Sequence, residues 1–247
     1  MSIRSRTEFQ KLRAIGKIVR MVLDEMAAAV RPGITTAELD LIGAAALARC
    51  GADASPALVY GFPGTACISV NEQAIHGIPG ARTILEGDLV KLDVTAQKDG
   101  FVADAAVTVR AGRVSPAADA LAACAESSFR QALPAARAGN RVYDIGRAVE
   151  REVRSSGFSV IKELCGHGVG RTIHEEPVVP NYHDRRFRAR LTEGLVITIE
   201  PIIAAGNGQA RLQPDQWTIA TADGSLSAHY EHTLVITHGE PILLTAA

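Results

Sequence analysis

Two aspartates stand inside stretches of sequence that are otherwise typical of buried β-strands. The segment VKLDVTAQKDGFVADAAVTV, residues 90–109, places Asp93 and Asp104 among valine, leucine, phenylalanine and threonine, with Asp99-Gly100 between the two stretches. An ionised carboxylate without a partner costs several kcal/mol to bury. Any fold that contains these strands must therefore provide each carboxylate with a cation, a proton or water.

The Asp99-Gly100 pair predicts a β-hairpin, because these residue types form two-residue turns that match the twist of paired strands. With that turn, Asp93 lies opposite Ala106 and Asp104 lies opposite Thr95. The two aspartates are then diagonal neighbours on one face, about 7–8 Å apart between backbones. A four-residue loop would instead set them directly opposite each other. Either arrangement points both carboxylates at one place.

Two carboxylates this close to each other need a shared proton or a cation between them. The alternative is a wet face on which each carboxylate is simply solvated. Lys91 shares the face of Asp93 and is a candidate salt-bridge partner for it. The hairpin alone leaves these explanations open.

Further acidic and imidazole residues stand in similar surroundings. LVITIEPII and AHYEHTLVI each hold a glutamate in a β-branched run, Glu200 and Glu231, and LCGHGVGRTIHEEP places His167 between glycines, seven residues before His174. Two divalent metals that share carboxylates would explain four buried acids and a histidine together. A structural zinc site is disfavoured, because the four cysteines are scattered along the chain.

The remaining sequence alternates between helices and strands. It predicts a first helix that opens with a capping box at Thr7, a second from Thr35 to Gly51, and a second series of helices and strands after Ser115-Pro116. A shift of 106 residues superposes four positions of the first series on the second: Arg31, Gly33, Leu39 and Gly51 on Arg137, Gly139, Ile145 and Gly157. A duplication predicts two α+β halves, about 1–110 and 111–247, within one catalytic domain over 1–247. A chance match is the alternative.

Composition narrows the class of protein. Hydrophobic residues make up 47% of 247 residues, which is enough for a substantial core, and the net charge of −1 contains no run of like charge. No stretch approaches the roughly 20 apolar residues of a membrane span, and the N-terminal segment is interrupted by charges. Scattered cysteines fit a reducing compartment. We therefore expect a cytoplasmic protein that binds neither nucleic acid nor membrane.

Taken together, these motifs resemble the bacterial, type I methionine aminopeptidases of peptidase family M24. The resemblance covers nearly the whole chain and is carried by ISVNEQAIHGIP (68–79), DVTAQKDGFVADAA (93–106), CGHGVGRTIHEEP (165–177), TIEP (198–201) and SLSAHYEHT (225–233). It implies the pita-bread fold, with two pseudo-symmetric halves of antiparallel sheet and flanking helices. It also implies a monomeric enzyme that removes N-terminal methionine from peptides and from nascent chains at the ribosome.

The resemblance implies a ligand set for two divalent ions, whether Co, Mn, Fe, Ni or Zn. The ligands would be Asp93, Asp104, His167, Glu200 and Glu231. In the family the residues matching Asp104 and Glu231 bridge both ions, and hydroxide held between the ions attacks the first peptide bond. Glu200 would also shuttle protons. A monovalent cation site is implied near three further residues: Asn71, Gln73 and Ser227.

The substrate contacts implied by the resemblance come from several motifs. His174 would stabilise the developing oxyanion and His76 would position the substrate backbone, while Phe62, Cys67 and Trp217 would line the methionine pocket. Two positions where relatives often carry aromatic residues are aliphatic here, at Ile173 and at Val59 or Leu58. Side-chain tolerance in the pocket is therefore open.

The two histidines beside Glu231 receive a different interpretation. His229 and His232 are expected on the opposite face of the strand from Glu231, as structural residues. Without the resemblance, His76 would be interpreted as a surface histidine and His174 as an ion-pair partner of its neighbour Glu175.

Two other functions are compatible with the same fold. A proline-directed aminopeptidase or prolidase would share the fold, but those enzymes usually carry an additional N-terminal domain that this sequence does not show. A metal-free binding module would share the fold as well, but such proteins typically lose metal ligands, and all five are present.

Overall fold

The computed structural model describes residues 1–246 of the chain. Its helices are α1 Arg6–Ala29, α2 Thr36–Cys50, α3 Ser55–Tyr60, α4 Pro116–Ala132, a short 3₁₀ helix Leu133–Ala135, and α5 Val142–Ser155. Its strands are β1 Asp53–Ala54, β2 Cys67–Val70, β3 Gln73–Ile75, β4 Leu89–Lys98, β5 Phe101–Arg110, β6 Ser159–Val160, β7 Gly166–Gly168, β8 Glu175–Val179, β9 Val196–Ile199, β10 Ile202–Ala204, β11 Ala210–Leu212, β12 Ile219–Thr221, β13 Ser227–His229, β14 Glu231–Val235 and β15 Ile242–Leu243. No helix within residues 1–246 has both the length and the apolar character needed to cross a membrane.

Local capping chemistry sets the ends of the first two helices. The predicted capping box of α2 is confirmed, because Thr35 accepts from the Glu38 N–H and the Glu38 side chain binds back to Thr35 N. The predicted start of α1 at Thr7 is wrong. Ser5 is the N-cap and accepts from the Glu8 N–H, so the helix begins at Arg6, two residues earlier than the sequence pattern indicated.

Most of the strands described belong to one nine-stranded antiparallel sheet. Its main order is β1-β4-β5-β14-β9-β7-β8, with β2 on β4 and β15 on β14. The β4–β5 hairpin has the predicted two-residue turn, with Asp93 opposite Ala106 and Asp104 opposite Thr95. The four-residue loop is therefore excluded. The strand predicted over LVITIEPII is interrupted at Glu200-Pro201, where β9 ends and β10 joins a different sheet.

The helices cover one face of this sheet. One row of paired residues, Val94, Ala105, His232 and Ile199, crosses β4, β5, β14 and β9 on this face. Val94 and Ala105 pack in the hydrophobic cluster of α1 and α2, and Ile199 packs in that of α4 and α5. Because side chains alternate along a strand, the neighbouring row lies on the opposite face, away from the helices.

That opposite row carries the unusual acidic residues. It consists of Cys67, Asp93, Ala106 and Glu231, which pair in sequence across β2, β4, β5 and β14. Two three-stranded sheets, β13-β10-β6 and β11-β12-β3, supply further residues, and β13 contacts β3, β4 and β5. The fold thus encloses the acidic row between the large sheet and these smaller ones.

Candidate functional site

One cavity of about 260 Å³ lies over the acidic row. Its walls include all ten predicted site residues: Phe62, Cys67, His76, Asp93, Asp104, His167, His174, Glu200, Trp217 and Glu231. The structure therefore brings together side chains from both halves of the chain. It places them in one site, while the role of each residue remains a prediction.

The acidic end of the cavity is a compact set of metal-ligand types. Single ligand atoms of Asp104, His167 and Glu231 all lie within 4.8 Å of one another. The His167 Nε2 atom is 3.5 Å from Glu200 Oε1 and 4.0 Å from Asp104 Oδ2. Oxygen and imidazole ligands at this spacing suit a divalent metal of the first transition row.

Within residues 1–246, the carboxyl groups of this cluster have no positively charged side chain beside them in the cavity wall. Burial raises the pKa of Asp93, Glu200 and Glu231 well above the ordinary range, and the charge of Asp104 adds to the shift in each case. Burial raises the pKa of Asp104 itself to about 7. Among the residues described, the cavity wall includes no lysine or arginine, and Asp104 Oδ1 and Glu231 Oε1 are buried without a hydrogen-bond partner. These residues fit a divalent cation, which would supply the missing partner.

The orientation of the His167 ring suits the predicted metal ligand. Its Nδ1 lies 2.9 Å from the Gly168 carbonyl oxygen, which fixes the proton on Nδ1 and leaves the lone pair of Nε2 facing the carboxylates. Burial lowers its pKa to about 4, so the ring is neutral near pH 7. Thr198 supports the arrangement, because its hydroxyl accepts from the His167 N–H at 3.0 Å and donates to Glu200 Oε1 at 2.8 Å.

The expectation that His229 faces away from Glu231 is wrong. His229 lines the cavity, and its Nε2 lies 3.5 Å from Glu231 Oε2. Neither ring nitrogen has a hydrogen-bond partner among the residues described, and burial lowers the pKa to about 3. The signal was available, because positions 229 and 231 share a face in an alternating strand. His232, one position on, lies on the helix side and contacts Thr245 and Tyr230.

Lys91 also departs from expectation. Its amino group donates to the Asn71 carbonyl oxygen at 2.7 Å, and the predicted salt bridge with Asp93 is wrong. The acidic cluster therefore receives no ion pair from this lysine.

The other end of the cavity is apolar. Phe62 and Trp217 meet edge to face with ring centroids 5.3 Å apart, and Ile75 and Ile173 complete this part of the wall. Cys67 adds a thiol whose pKa is raised well above the usual value by burial and by the nearby carboxylates. A thiol that stays protonated is a poor nucleophile, so we expect Cys67 to contribute only an uncharged side chain to the wall, opposite Asp93.

Two further histidines, His174 and His76, line the cavity. His174 Nδ1 is 2.7 Å from the Tyr60 hydroxyl, and its ring lies 4.4 Å from that of His167 between centroids. His76 is half-buried at a backbone φ of 55°, and burial lowers its pKa to about 4. Tyr60 was not predicted as a site residue. Its contact with His174 spans 114 positions of sequence, and no local pattern signals it.

Comparison with known proteins agrees with this geometry. The model of metallopeptidase family M24 matches residues 10–238. Methionine aminopeptidase 2 of Bacillus subtilis is 43% identical over 247 residues, with 99% of each chain covered. The crystal structure of methionine aminopeptidase from Thermotoga maritima superposes with a TM-score of 0.96 at 32% identity, over 100% of both chains.

A second group of structures shares only the fold. Prolidase from Pyrococcus horikoshii superposes with a TM-score of 0.80 at 21% identity, over 99% of this chain and 63% of the prolidase. Because the family model and the close relatives span nearly the entire sequence, the chain belongs to metallopeptidase family M24, among its methionine aminopeptidases, and has their pita-bread fold.

Proposed function

We infer that this chain is a metal-dependent aminopeptidase that releases methionine from the N-terminus of peptides and newly made proteins. The observation that carries the inference is a single cavity with an acidic, metal-binding end and an apolar end. A free N-terminal amine is positively charged and a methionine side chain is apolar, so the two ends match the two parts of the substrate. Family membership and close relatives support the same activity.

The acidic end holds divalent metal. We propose two ions, held by the five ligands Asp93, Asp104, His167, Glu200 and Glu231. Co, Mn, Fe, Ni and Zn all accept carboxylate and imidazole ligands, and availability selects among them. When bound, such ions polarise a peptide carbonyl and lower the pKa of water to near neutrality.

The chain's own residues orient the substrate. The edge-to-face pair of Phe62 and Trp217 offers the methionine side chain an aromatic wall, and aliphatic residues fill the rest of the pocket. His76 lies at the same cavity, where a neutral imidazole can hydrogen-bond a substrate backbone group. Holding the scissile bond in this way lowers the entropic part of the barrier.

Two residues are placed to handle charge and protons. We assign Nδ1 of neutral His174 as the acceptor of the hydrogen bond from the Tyr60 hydroxyl, which places the ring proton on Nε2, where it can donate to an oxyanion. Glu200 has a raised pKa, and its Oε1 already accepts from Thr198, which leaves Oε2 to take a proton and return it to the departing amine.

We propose that the enzyme acts in the cytoplasm, that it meets nascent chains at the ribosome, and that it is a monomer. The four cysteines, which are all free thiols in the described chain, support a reducing compartment.

The activity predicts release of free methionine from the peptide Met-Ala-Ser by purified protein supplied with Mn²⁺, Co²⁺ or Fe²⁺. Excess chelator should stop the release, and returning the metal should restore it. Acetyl-Met-Ala-Ser, which lacks the free amine, is the matched substrate control and should remain intact. Failure with all three metals would contradict the proposed function, and faster cleavage of Xaa-Pro peptides would favour a proline-directed enzyme.

The hydrogen bond from Tyr60 to His174 predicts a specific defect in Tyr60→Phe. The ring would remain, but loss of the donor at Nδ1 should reduce kcat by roughly 3- to 10-fold, because one neutral hydrogen bond is worth about 0.5–1.5 kcal/mol. The lost bond favoured neutral imidazole, so the pKa of His174 should rise and the acidic limb of the kcat profile should move to higher pH. Steady-state kinetics from pH 5 to 9 measures both effects.

The matched control for that substitution is Tyr143→Phe. Tyr143 also has its ring against a histidine, His183, but both lie outside the cavity. This variant should leave kcat and the pH profile unchanged. An unaltered acidic limb in Tyr60→Phe would show that Tyr60 does not orient His174.

A further inference from the structure

Lys91 is the largest fully buried side chain in the described structure. Only 1% of it is exposed, although lysine is among the residue types least often buried. Its Nζ donates to the Asn71 carbonyl oxygen at 2.7 Å. A lysine that loses its hydration to reach a backbone carbonyl calls for a specific explanation.

Lys91 belongs to a polar row that lies one step along the strands from the acidic row. The polar row consists of Ser69, Lys91 and Thr108, which pair across β2, β4 and β5. Asp93 and Lys91 are two positions apart on β4, so both rows face the same side of the sheet. The polar row therefore lies directly beside the candidate ligands.

The two outer members of the polar row each bind a segment that carries a cavity histidine. Ser69 Oγ accepts from the N–H of Gly77, which follows His76, at 2.9 Å. Thr108 Oγ accepts from the His229 N–H at 2.9 Å and donates to the His229 carbonyl at 2.8 Å. The polar row thus anchors backbone that leads directly into the site.

Lys91 is the middle member of the polar row, and it binds the backbone at Asn71. The Asn71 carbonyl that it binds also accepts from the Ser227 hydroxyl at 2.8 Å and the Ser227 N–H at 3.0 Å. The same hydroxyl lies 3.1 Å from the Gln73 carbonyl. Ser227 opens β13, the strand that ends at His229. The amino group of Lys91 and the start of β13 are therefore joined through a single carbonyl oxygen.

The turn at Asn71 is fixed independently of Lys91. Asn71 has a φ of 54°, its side-chain amide donates to Asp88 Oδ1 at 2.8 Å, and its side-chain oxygen accepts from Leu89 N at 3.0 Å. The carbonyl is thus held in place to meet a positive or hydrogen-donating group. Burial lowers the pKa of Lys91 to about 7, but ammonium and amine both carry N–H donors, so the contact exists in either state.

These contacts occupy the place where the sequence resemblance implied a monovalent cation, near Asn71, Gln73 and Ser227. We propose that Lys91 supplies from the chain itself the donor group at this carbonyl, so that no alkali ion is needed there, and that it positions β13 and His229 beside Glu231. Lys91 is a positioning residue under this proposal, because it contacts neither substrate nor metal ligand. The effect on turnover rests on the proposed aminopeptidase function.

The first test compares wild type with Lys91→Met in buffers of constant ionic strength, made with choline, Na⁺ or K⁺. Wild-type kcat/KM should be the same in all three. In choline, the kcat/KM of Lys91→Met should fall roughly 3- to 10-fold, since the Asn71 carbonyl loses one of its three donors and a hydrogen bond contributes about 0.5–1.5 kcal/mol. Na⁺ or K⁺ should restore much of that loss by entering the vacated space. A wild-type enzyme that requires an alkali ion, or a variant that neither loses activity nor responds to one, would overturn the proposal.

The second test does not depend on catalysis. The thermal unfolding midpoint of metal-free Lys91→Met should be higher in K⁺ or Na⁺ than in choline, while that of the metal-free wild type should not change. Lys98→Met is the matched control, because Lys98 lies on the same strand and its Nζ also donates to a backbone carbonyl, that of Cys50, outside the cavity. Its midpoint should show no preference among the cations.

The two tests separate the inference from the proposed function. If wild-type protein releases no methionine, the function fails, yet the unfolding midpoints still decide the role of Lys91. Should Lys91→Met fail to fold, Lys91→Leu, which also removes the donor and has a shorter side chain, is measured in the same way. An identical midpoint for a metal-free, folded variant in choline, Na⁺ and K⁺ would overturn the replacement of an alkali ion by Lys91.

Discussion

Asp104→Asn should abolish methionine release while the protein remains folded. Asp104 is the residue whose charge acts on all three of the other clustered acids, Asp93, Glu200 and Glu231. Its Oδ1 is buried without a hydrogen-bond partner in the described structure, so a bound cation would be its partner. Asparagine keeps the shape and removes the charge. We expect kcat/KM to fall by at least about 10³-fold, equivalent to about 4 kcal/mol of lost transition-state stabilisation.

The expected loss comes from weakened metal binding, so metal content is measured alongside activity. Equilibrium dialysis followed by elemental analysis should show less bound Mn²⁺ in Asp104→Asn than in wild type. Asp99→Asn is the matched control, because it makes the same change in the same hairpin at an exposed turn position where asparagine is tolerated. That variant should keep both metal and activity. Near-normal turnover by Asp104→Asn would remove Asp104 from the ligand set.

The hairpin register could be predicted because it depends on local chemistry. Asp99-Gly100 favours a two-residue turn, and that turn fixes every pair in the hairpin, including Asp93 with Ala106. The alternation of side chains then sets the face. Acidic residues within apolar runs indicated which side chains would need a cation as partner. The cavity wall includes all four of these acids.

Other features could not be predicted for two different reasons. His229 was misplaced by an error in counting alternation, since it shares the face of Glu231 and lines the cavity. Tyr60 was missed because it meets His174 only when distant segments fold together. The interruption at Glu200-Pro201 also depends on tertiary structure, because β10 leaves the large sheet to pair with β13. The single catalytic domain with two halves stays a prediction.

Metal-free protein should lose stability as the pH rises from 7 to 9. Asp93, Glu200 and Glu231 have pKa values raised well above their ordinary ones, so the folded chain keeps protons that the unfolded chain releases near pH 4. The free energy of unfolding therefore falls with pH, by about 1.4 kcal/mol per pH unit for each carboxyl still protonated in the fold. Lys91 acts in the opposite direction, since its pKa is lowered to about 7 and the folded amine is neutral above that pH. The acids outweigh the lysine when two or more of them keep their protons in the fold.

Histidine titration contributes little to the change in stability between pH 7 and 9. Burial lowers the pKa of His167 to about 4 and of His229 to about 3, so these rings are neutral in the fold. They are also largely neutral in the unfolded chain above pH 7, since the unperturbed pKa of histidine is about 6.5. Their contribution to the pH dependence lies below that value, where stability should fall as the pH drops.

Urea unfolding of chelator-treated protein at pH 7, 8 and 9, followed by the fluorescence of Trp217, measures the slope. Glu231→Gln should make the decline shallower by up to about 1.4 kcal/mol per pH unit, because it removes one proton-retaining group. Glu240→Gln, at an exposed position, should leave the slope unchanged. Mn²⁺ should abolish the decline, since metal binding favours the ionised carboxylates and releases their protons. Stability that stays level or rises toward pH 9 without metal would mean that the acids are already ionised in the metal-free fold, and that this site does not need a cation to balance them.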